Sequence, residues 1–329
     1  MRPARRERDM KWHGLTRLAG LLAVLGGIAG ASAVAGAGVI PPPDESHANH
    51  PIGVCGNRHF DPRMEICDTR NNHLYRITRI GDQTWMAENL DFGRVVPGRR
   101  DQAGPGEKYC LYDDTADCGA LYQWATVNGL DGGFNARARA AKDGGRAGDA
   151  GPVQGICPEG WRVPSAADWE TMLGVVRKEQ GAENEAVSLM AYSANDKFRW
   201  KTNTDPDAML PLHDRYGMAV LPFGQRVLRG TCPDGPPADS FFCSAHDMAK
   251  FWTSDEDPAD PATGVSITMI EDLPRVWVSS KPPYDMLTPA QKAQWISLEQ
   301  RKAASQSPLQ RSYKPSVKVL GMAVRCIKR

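Results

Sequence analysis

The residues best able to do chemistry in this chain are its eight cysteines: Cys55, Cys67, Cys110, Cys118, Cys157, Cys232, Cys243 and Cys326. A thiolate can attack a carbonyl or a disulfide, hold a soft metal, or be oxidised into a crosslink. Cys157 poses the choice most sharply. It stands beside a proline in GICPEGWRVPSAADWE (155–170), close to Trp161 and Trp169. A metal site is poorly supported, because no C-x-x-C occurs. Cys243 and His246 are three apart, yet no second pair of that kind completes a tetrahedral set. An even number of cysteines beyond an export signal points to disulfides. Short separations pair Cys55 with Cys67, Cys110 with Cys118, and Cys232 with Cys243. Cys157 and Cys326 then remain as a long-range pair, whose closure restricts the unfolded chain by about 4–5 kcal/mol in the entropy model. On this reading Cys157 anchors a corner of the fold and the tryptophans fill the space beneath.

Other polar groups are weaker candidates. Asp113, Asp114 and Asp117 could offer oxygens to calcium, and so could Asp255, Glu256, Asp257 and Asp260. Neither set has the Asp-x-Asp-x-Asp-Gly spacing, so both read as solvated turns. His213-Asp214 and His246-Asp247 are chain neighbours and do not face each other as a catalytic dyad. No Gly-x-Ser-x-Gly, P-loop or His-Glu-x-x-His is present. Arg137, Arg139 and Arg146 sit in a Gly- and Ala-rich stretch and could grip an anion, but they read as part of a solvated loop. No metal site and no cofactor is assigned. Nine tryptophans include potential sugar platforms, and most are expected in the core.

These side chains need a frame. The first residues do not supply it. Arg2 to Arg17 carries positive charge, Leu18 to Gly30 is apolar but too short to span a bilayer comfortably, and Ala31-Ser32-Ala33 or Ala35-Gly36-Ala37 fits a cleavage site. Residues 1–33 therefore read as a signal peptide, starting at Met1 or Met10. Residues 34–54, with PPPDESHANHP, read as a stiff linker, and folding begins near Cys55. A formal net charge of +1 leaves no basic field for nucleic acid or an anionic membrane. With 32 glycines and 25 prolines, the body should be rich in turns.

HLYRITRI (73–80) reads as a strand. Leu121, Trp124 and Ala125 have helical spacing, predicting a short helix that ends at Gly129. Ser165 with Asp168 three residues on approximates a capping box. Trp169, Met172, Leu173 and Val176 then follow at i, i+3, i+4 and i+7, and Gly181 stops the helix. YGMAVLPFGQRVL (216–228) reads as two strands broken at Pro222-Phe223-Gly224. KFWTSD, SITMI and RVWVSS read as further strands. TPAQKAQWISLEQRKAA reads as a second helix with a thin apolar face at Trp295 and Leu298, and SVKVLGMAVRCIK as a strand pair or one strand bulged at Gly321.

Several blocks together resemble a known family. CGNRHFDPRMEICDTRNNHLYRITRIGDQTWMAENLDF, CLYDDTADCGALYQWATVNG, GICPEGWRVPSAADWETML, GMAVLPFGQR, AKFWTSD and AVRCIKR resemble, in order, the Fibrobacter succinogenes major paralogous domain family. The resemblance implies an exported bacterial protein over residues 55–329, with residues 130–153 as an inserted loop and 281–314 as an inserted helical segment. The WRVPSAADW block is also distantly similar to a corner of formylglycine-generating-enzyme-like domains. That likeness implies an α+β, C-type-lectin-like fold: two main helices around a small, irregular, twisted β-sheet with long disulfide-tied loops. The Glu-Pro-Asn, Gln-Pro-Asp and Trp-Asn-Asp elements of calcium-dependent sugar binders are absent.

The expectation is a non-catalytic binding module, exported to the periplasm, cell surface or medium, with a glycan or an envelope protein as partner. No nucleic acid, and no integral membrane segment after signal cleavage, is expected. Two alternatives stand beside it. One is an enzyme of the formylglycine-generating type using thiol or metal chemistry. The other is an envelope-assembly component docking through the Trp295 helix.

Overall fold

The computed structural model describes residues 52–111, 118–139, 151–193, 199–200, 214–227, 241–270, 276–279 and 317–329. The expectations for the signal peptide, Asp113, Asp114, Asp117, Arg146, His213, Cys232 and the 281–314 segment lie outside these residues, as does most of the linker. Among the described residues, strand pairing begins at Gly53.

The architecture is mixed α/β and mostly strand. A hairpin of β1 (Gly53–Cys55) and β2 (Arg58–Phe60) leads into β3 (Glu65–Asp68), β4 (His73–Ile80) and β5 (Gln83–Met86). Next come β6 (Arg94–Val95), β7 (Glu107–Cys110), β8 (Ala120–Leu121) and the single turn α1 (Trp124–Val127). Then follow β9 (Trp161–Arg162), α2 (Ala166–Gln180), β10 (Gln225–Arg226) and β11 (Phe242–Cys243). The chain continues through β12 (Met248–Asp257), β13 (Asp260–Ile270) and β14 (Trp277–Ser279), and ends in β15 (Ile327–Lys328). Among the described residues, α2 is the one helix longer than a single turn.

The C-terminal strand organises the main sheet. Its order is β3-β4-β5-β15-β9, so β15 lies between β5 and β9 and pairs antiparallel with both. A second sheet, β12-β13-β14, packs against α2. The buried stripe of α2 is Trp169, Met172, Leu173 and Val176, as its spacing predicts. Burying each of these side chains contributes about 1.5–3 kcal/mol. Trp169 packs against Trp85 at 4.8 Å and Phe251 at 5.5 Å between ring centroids, joining the helix to both sheets. Trp85, Trp124, Trp169, Trp200 and Trp252 are all fully buried, so these five belong to the core.

Three disulfides have both ends described: Cys55–Cys67, Cys110–Cys118 and Cys157–Cys326. The last joins the approach to β9 and α2 to the residue before β15, with Cα atoms 5.9 Å apart. Cys243 is also disulfide-bonded, and no described cysteine is free.

Three local expectations change. Leu121 belongs to β8 and pairs with Tyr109, so helix starts only at Trp124. Of the two strands expected in 216–228, the second is present as β10 (Gln225–Arg226), whereas 216–221 is not strand. Gly217, Ala219 and Gly224 have positive φ, and the buried Arg325 guanidinium donates to the Met218 and Ala219 carbonyls in place of a strand partner. Gly321 forms an isolated bridge with Arg226 instead of a bulge. A Cβ there would lie 2.8 Å from the Arg226 Cβ, which is why the position takes glycine.

Candidate functional site

The start of α2 meets the far end of β12 across a polar cleft of about 470 Å³. Its wall includes Arg139, Arg162, Ser165, Asp168, Ser254 and Asp255. The sequence builds this place from a helix cap. Ser165 Oγ accepts from the Asp168 amide, while Asp168 accepts from the Ser165 amide, completing the capping box. Arg162, leaving β9, donates two bonds to the same carboxylate, at 2.5 and 2.7 Å. Fork-on-carboxylate geometry is the strong form of such a pair. Burial would raise the Asp168 pKa, but the Arg162 guanidinium and the Ser165 bonds outweigh it and hold the carboxyl below its usual range.

Asp255 comes to the cleft from β12. Its carboxylate accepts from the Ala166 amide in the first turn of α2, where the helix leaves donors unsatisfied. Burial pushes its pKa up, the Ala166 bond opposes that, and the nearby Asp168 charge adds to the rise. The Ser254 amide donates to the Pro164 carbonyl at 2.9 Å, fastening the strand to the residue before the cap.

Behind Arg139 lies a second layer. The Arg139 amide donates to Glu256 at 2.9 Å, and its guanidinium donates to the Ser254 carbonyl at 3.2 Å. The Lys318 ammonium donates to Glu256 at 2.5 Å and to the Arg137 carbonyl at 3.2 Å. It also lies 4.1 Å from the centre of the Trp124 ring. Burial lowers the Lys318 pKa, while Glu256 works against that shift. The hub sews the Gly132–Asn135 turn, the β12–β13 hairpin and the C-terminal segment together.

The structure thus revises two readings. Arg139 is no solvated loop residue: it is half-buried and fixed at three points. The acidic run is not a single cluster. Asp255 caps α2, Glu256 faces Lys318, and Asp257 and Asp260 accept from backbone amides in their own turn. His246 meets the Arg199 carbonyl at 2.7 Å through Nδ1, so it is no partner for its neighbour Asp247 in a dyad. Lys318, Arg325 and Lys250 were not singled out by sequence. Each is a cation inside an apolar run (VKVL, AVRCI and MAKFW), a signal that could have found them.

Fold and site together define a disulfide-braced, strand-rich α/β domain with a charge-balanced polar cleft at the start of its long helix. The chain belongs to the Fibrobacter succinogenes major domain family, whose model matches residues 78–328. The match begins inside β4, so β1 to β3 and the Cys55–Cys67 bridge precede it. No curated protein and no solved structure matches the chain. Among the described residues no helix is long and apolar enough to cross a membrane.

Proposed function

We propose that this chain is an exported, non-catalytic binding module of C-type-lectin-like architecture that holds a neutral glycan in the Arg139–Asp255 cleft. The carrying observation is the composition of the cleft wall. Two guanidiniums, two carboxylates and two hydroxyls interleave there, with formal charges that cancel. A sugar hydroxyl both donates and accepts, so it matches such a wall, whereas an anion or a cation meets a charge of its own sign beside each attractive one. Disulfides that tie loops to strands support a module built for an oxidising compartment. They also support structural sulfurs: no described cysteine offers a thiol.

The test is a glycan array followed by calorimetry on the mature protein. A set of neutral oligosaccharides should bind at micromolar to millimolar concentration. Arg139→Ala should weaken that binding at least tenfold while leaving the thermal midpoint within a few degrees. No binding to any glycan, or unchanged affinity in the Arg139 variant, refutes the proposal.

A further inference from the structure

A second polar cleft, of about 500 Å³, has a wall that includes Asp68, Thr69, Arg70, Gln154 and Glu159. It shares a stretch of chain with the first cleft. Gly151, Pro152, Arg162 and Ser165 wall the first, whereas Gln154 and the residues from Cys157 to Gly160 wall the second. Two short passes, 152–154 and 160–163, therefore run from one cleft to the other. They are joined where the Val163 amide donates to the Val153 carbonyl at 2.9 Å. Trp161 and Val163 turn into the core, while Pro152 and Gln154 are exposed and Arg162 is half-buried. Two residues separate Pro152 of the first wall from Gln154 of the second, so their Cα atoms lie at most about 7 Å apart. This strip is fixed in place. The Ile156 amide donates to the Val127 carbonyl at 2.9 Å, the Arg329 amide donates to the Gly160 carbonyl at 3.1 Å, and the Cys157–Cys326 disulfide holds the loop between the passes.

The second cleft repeats the chemistry of the first. The Arg70 guanidinium lies 3.8 Å from the centre of the Phe92 ring. It commits three N–H groups, two to Asp68 and one to the Ile156 carbonyl. A guanidinium has five, so two donors stay available. The exposed side chains of Thr69 and Glu159 make no hydrogen bond to another described residue. Donors and acceptors thus interleave here too, with charges of both signs. Two matched walls so close together suit a ligand that repeats one hydroxyl-bearing unit. We propose that the clefts are consecutive subsites for a neutral oligosaccharide, which crosses the 152–154 strip from the Arg139–Asp255 cleft to the Thr69–Glu159 cleft. The proposal rests on the glycan reading and extends it from a single sugar to a chain. A chain held in the first cleft presents its next units to the second at high effective concentration, so the added bonds cost little further loss of freedom.

The experiment titrates the mature protein with malto-, cello- and chito-oligosaccharides, each from the monosaccharide to the hexasaccharide, by calorimetry. In a series that binds, affinity should rise about tenfold or more from the shortest bound member to the longest. Changing Thr69 and Glu159 together to alanine alters two exposed side chains. This double variant should lose the rise and leave the affinity of the shortest bound member unchanged, whereas Arg139→Ala should weaken every length. A series bound equally at all lengths overturns the two-subsite proposal and leaves the single-cleft reading intact; that comparison needs no variant. A rise that survives the double substitution overturns the assignment of the second cleft. Failure of every oligosaccharide to bind, together with an empty glycan array, overturns both readings.

Discussion

Replacing Lys250 with methionine should stabilise this protein, by an amount that depends on pH. Lys250 lies within β12, paired with Thr268 of β13, and is 7 % exposed. Among the described residues its ammonium has no carboxylate or hydrogen-bond partner. Burial alone pushes its pKa from 10.5 down to about 8. A drop of that size corresponds to about 3 kcal/mol of preference for the neutral amine in the folded state. Below pH 8 the side chain is charged in both states, and folding bears the whole cost. Between pH 8 and 10.5 the unfolded chain binds more protons than the folded one, so stability rises with pH. Above 10.5 the amine is neutral in both and the cost is gone. Methionine has similar length and no charge, so Lys250→Met removes the cost at every pH. The variant should therefore exceed the parent by about 3 kcal/mol near pH 7, or roughly 6–10 °C in thermal midpoint for a domain of this size. That gap should close as pH climbs from 8 to 10.5. Thermal unfolding of both proteins by circular dichroism at five pH values, with disulfides intact, measures it. Other titrating groups cancel in the difference. A gap that ignores pH, or a variant less stable than its parent at pH 7, would falsify the claim that this ammonium is buried and unpaired.

Three further outcomes follow from the same geometry. Changing Cys157 and Cys326 together to alanine should cost about 5 kcal/mol by the loop-entropy estimate, because the bridge closes a separation of 169 residues; denaturant unfolding reads it, and non-reducing peptide maps of the parent should show those two peptides joined. Ser165→Ala removes the oxygen that caps the Asp168 amide and should cost about 1 kcal/mol, with the loss seen as a lower urea midpoint. The remaining Asp168 contribution, held by a depressed pKa, should be present at neutral pH and vanish as acid protonates that carboxylate. Gly155→Ala should destabilise by about 1–3 kcal/mol or prevent folding. Residue 155 has φ of 56°, and its new Cβ would lie 2.1 Å from the Val127 carbonyl, which accepts from Ile156; a midpoint unchanged by this substitution would contradict the local backbone geometry.

The amino-acid order by itself determined what is local. The α2 helix is legible because its cap, its Gly181 stop and its four apolar positions all lie within one stretch of chain, where periodicity and side-chain chemistry agree. The β4 and β12 strands are legible for the same reason. Cys55–Cys67 and Cys110–Cys118 follow from nearness along the chain, and Cys157–Cys326 from what remains. The family was legible as well, through the order of its blocks. What only the tertiary structure decided is which distant groups meet. Nothing in VKVL shows that Lys318 will face Glu256 and Trp124, nor in AVRCI that Arg325 will take the Met218 and Ala219 carbonyls and deny residues 216–221 a strand. Lys318 and Arg325 find their partners on distant segments, because leaving a charge unpaired in a medium of low polarity costs several kcal/mol, a cost that Lys250 bears. The cleft likewise depends on tertiary placement: Asp255 reaches the Ala166 amide because β12 lies beside α2.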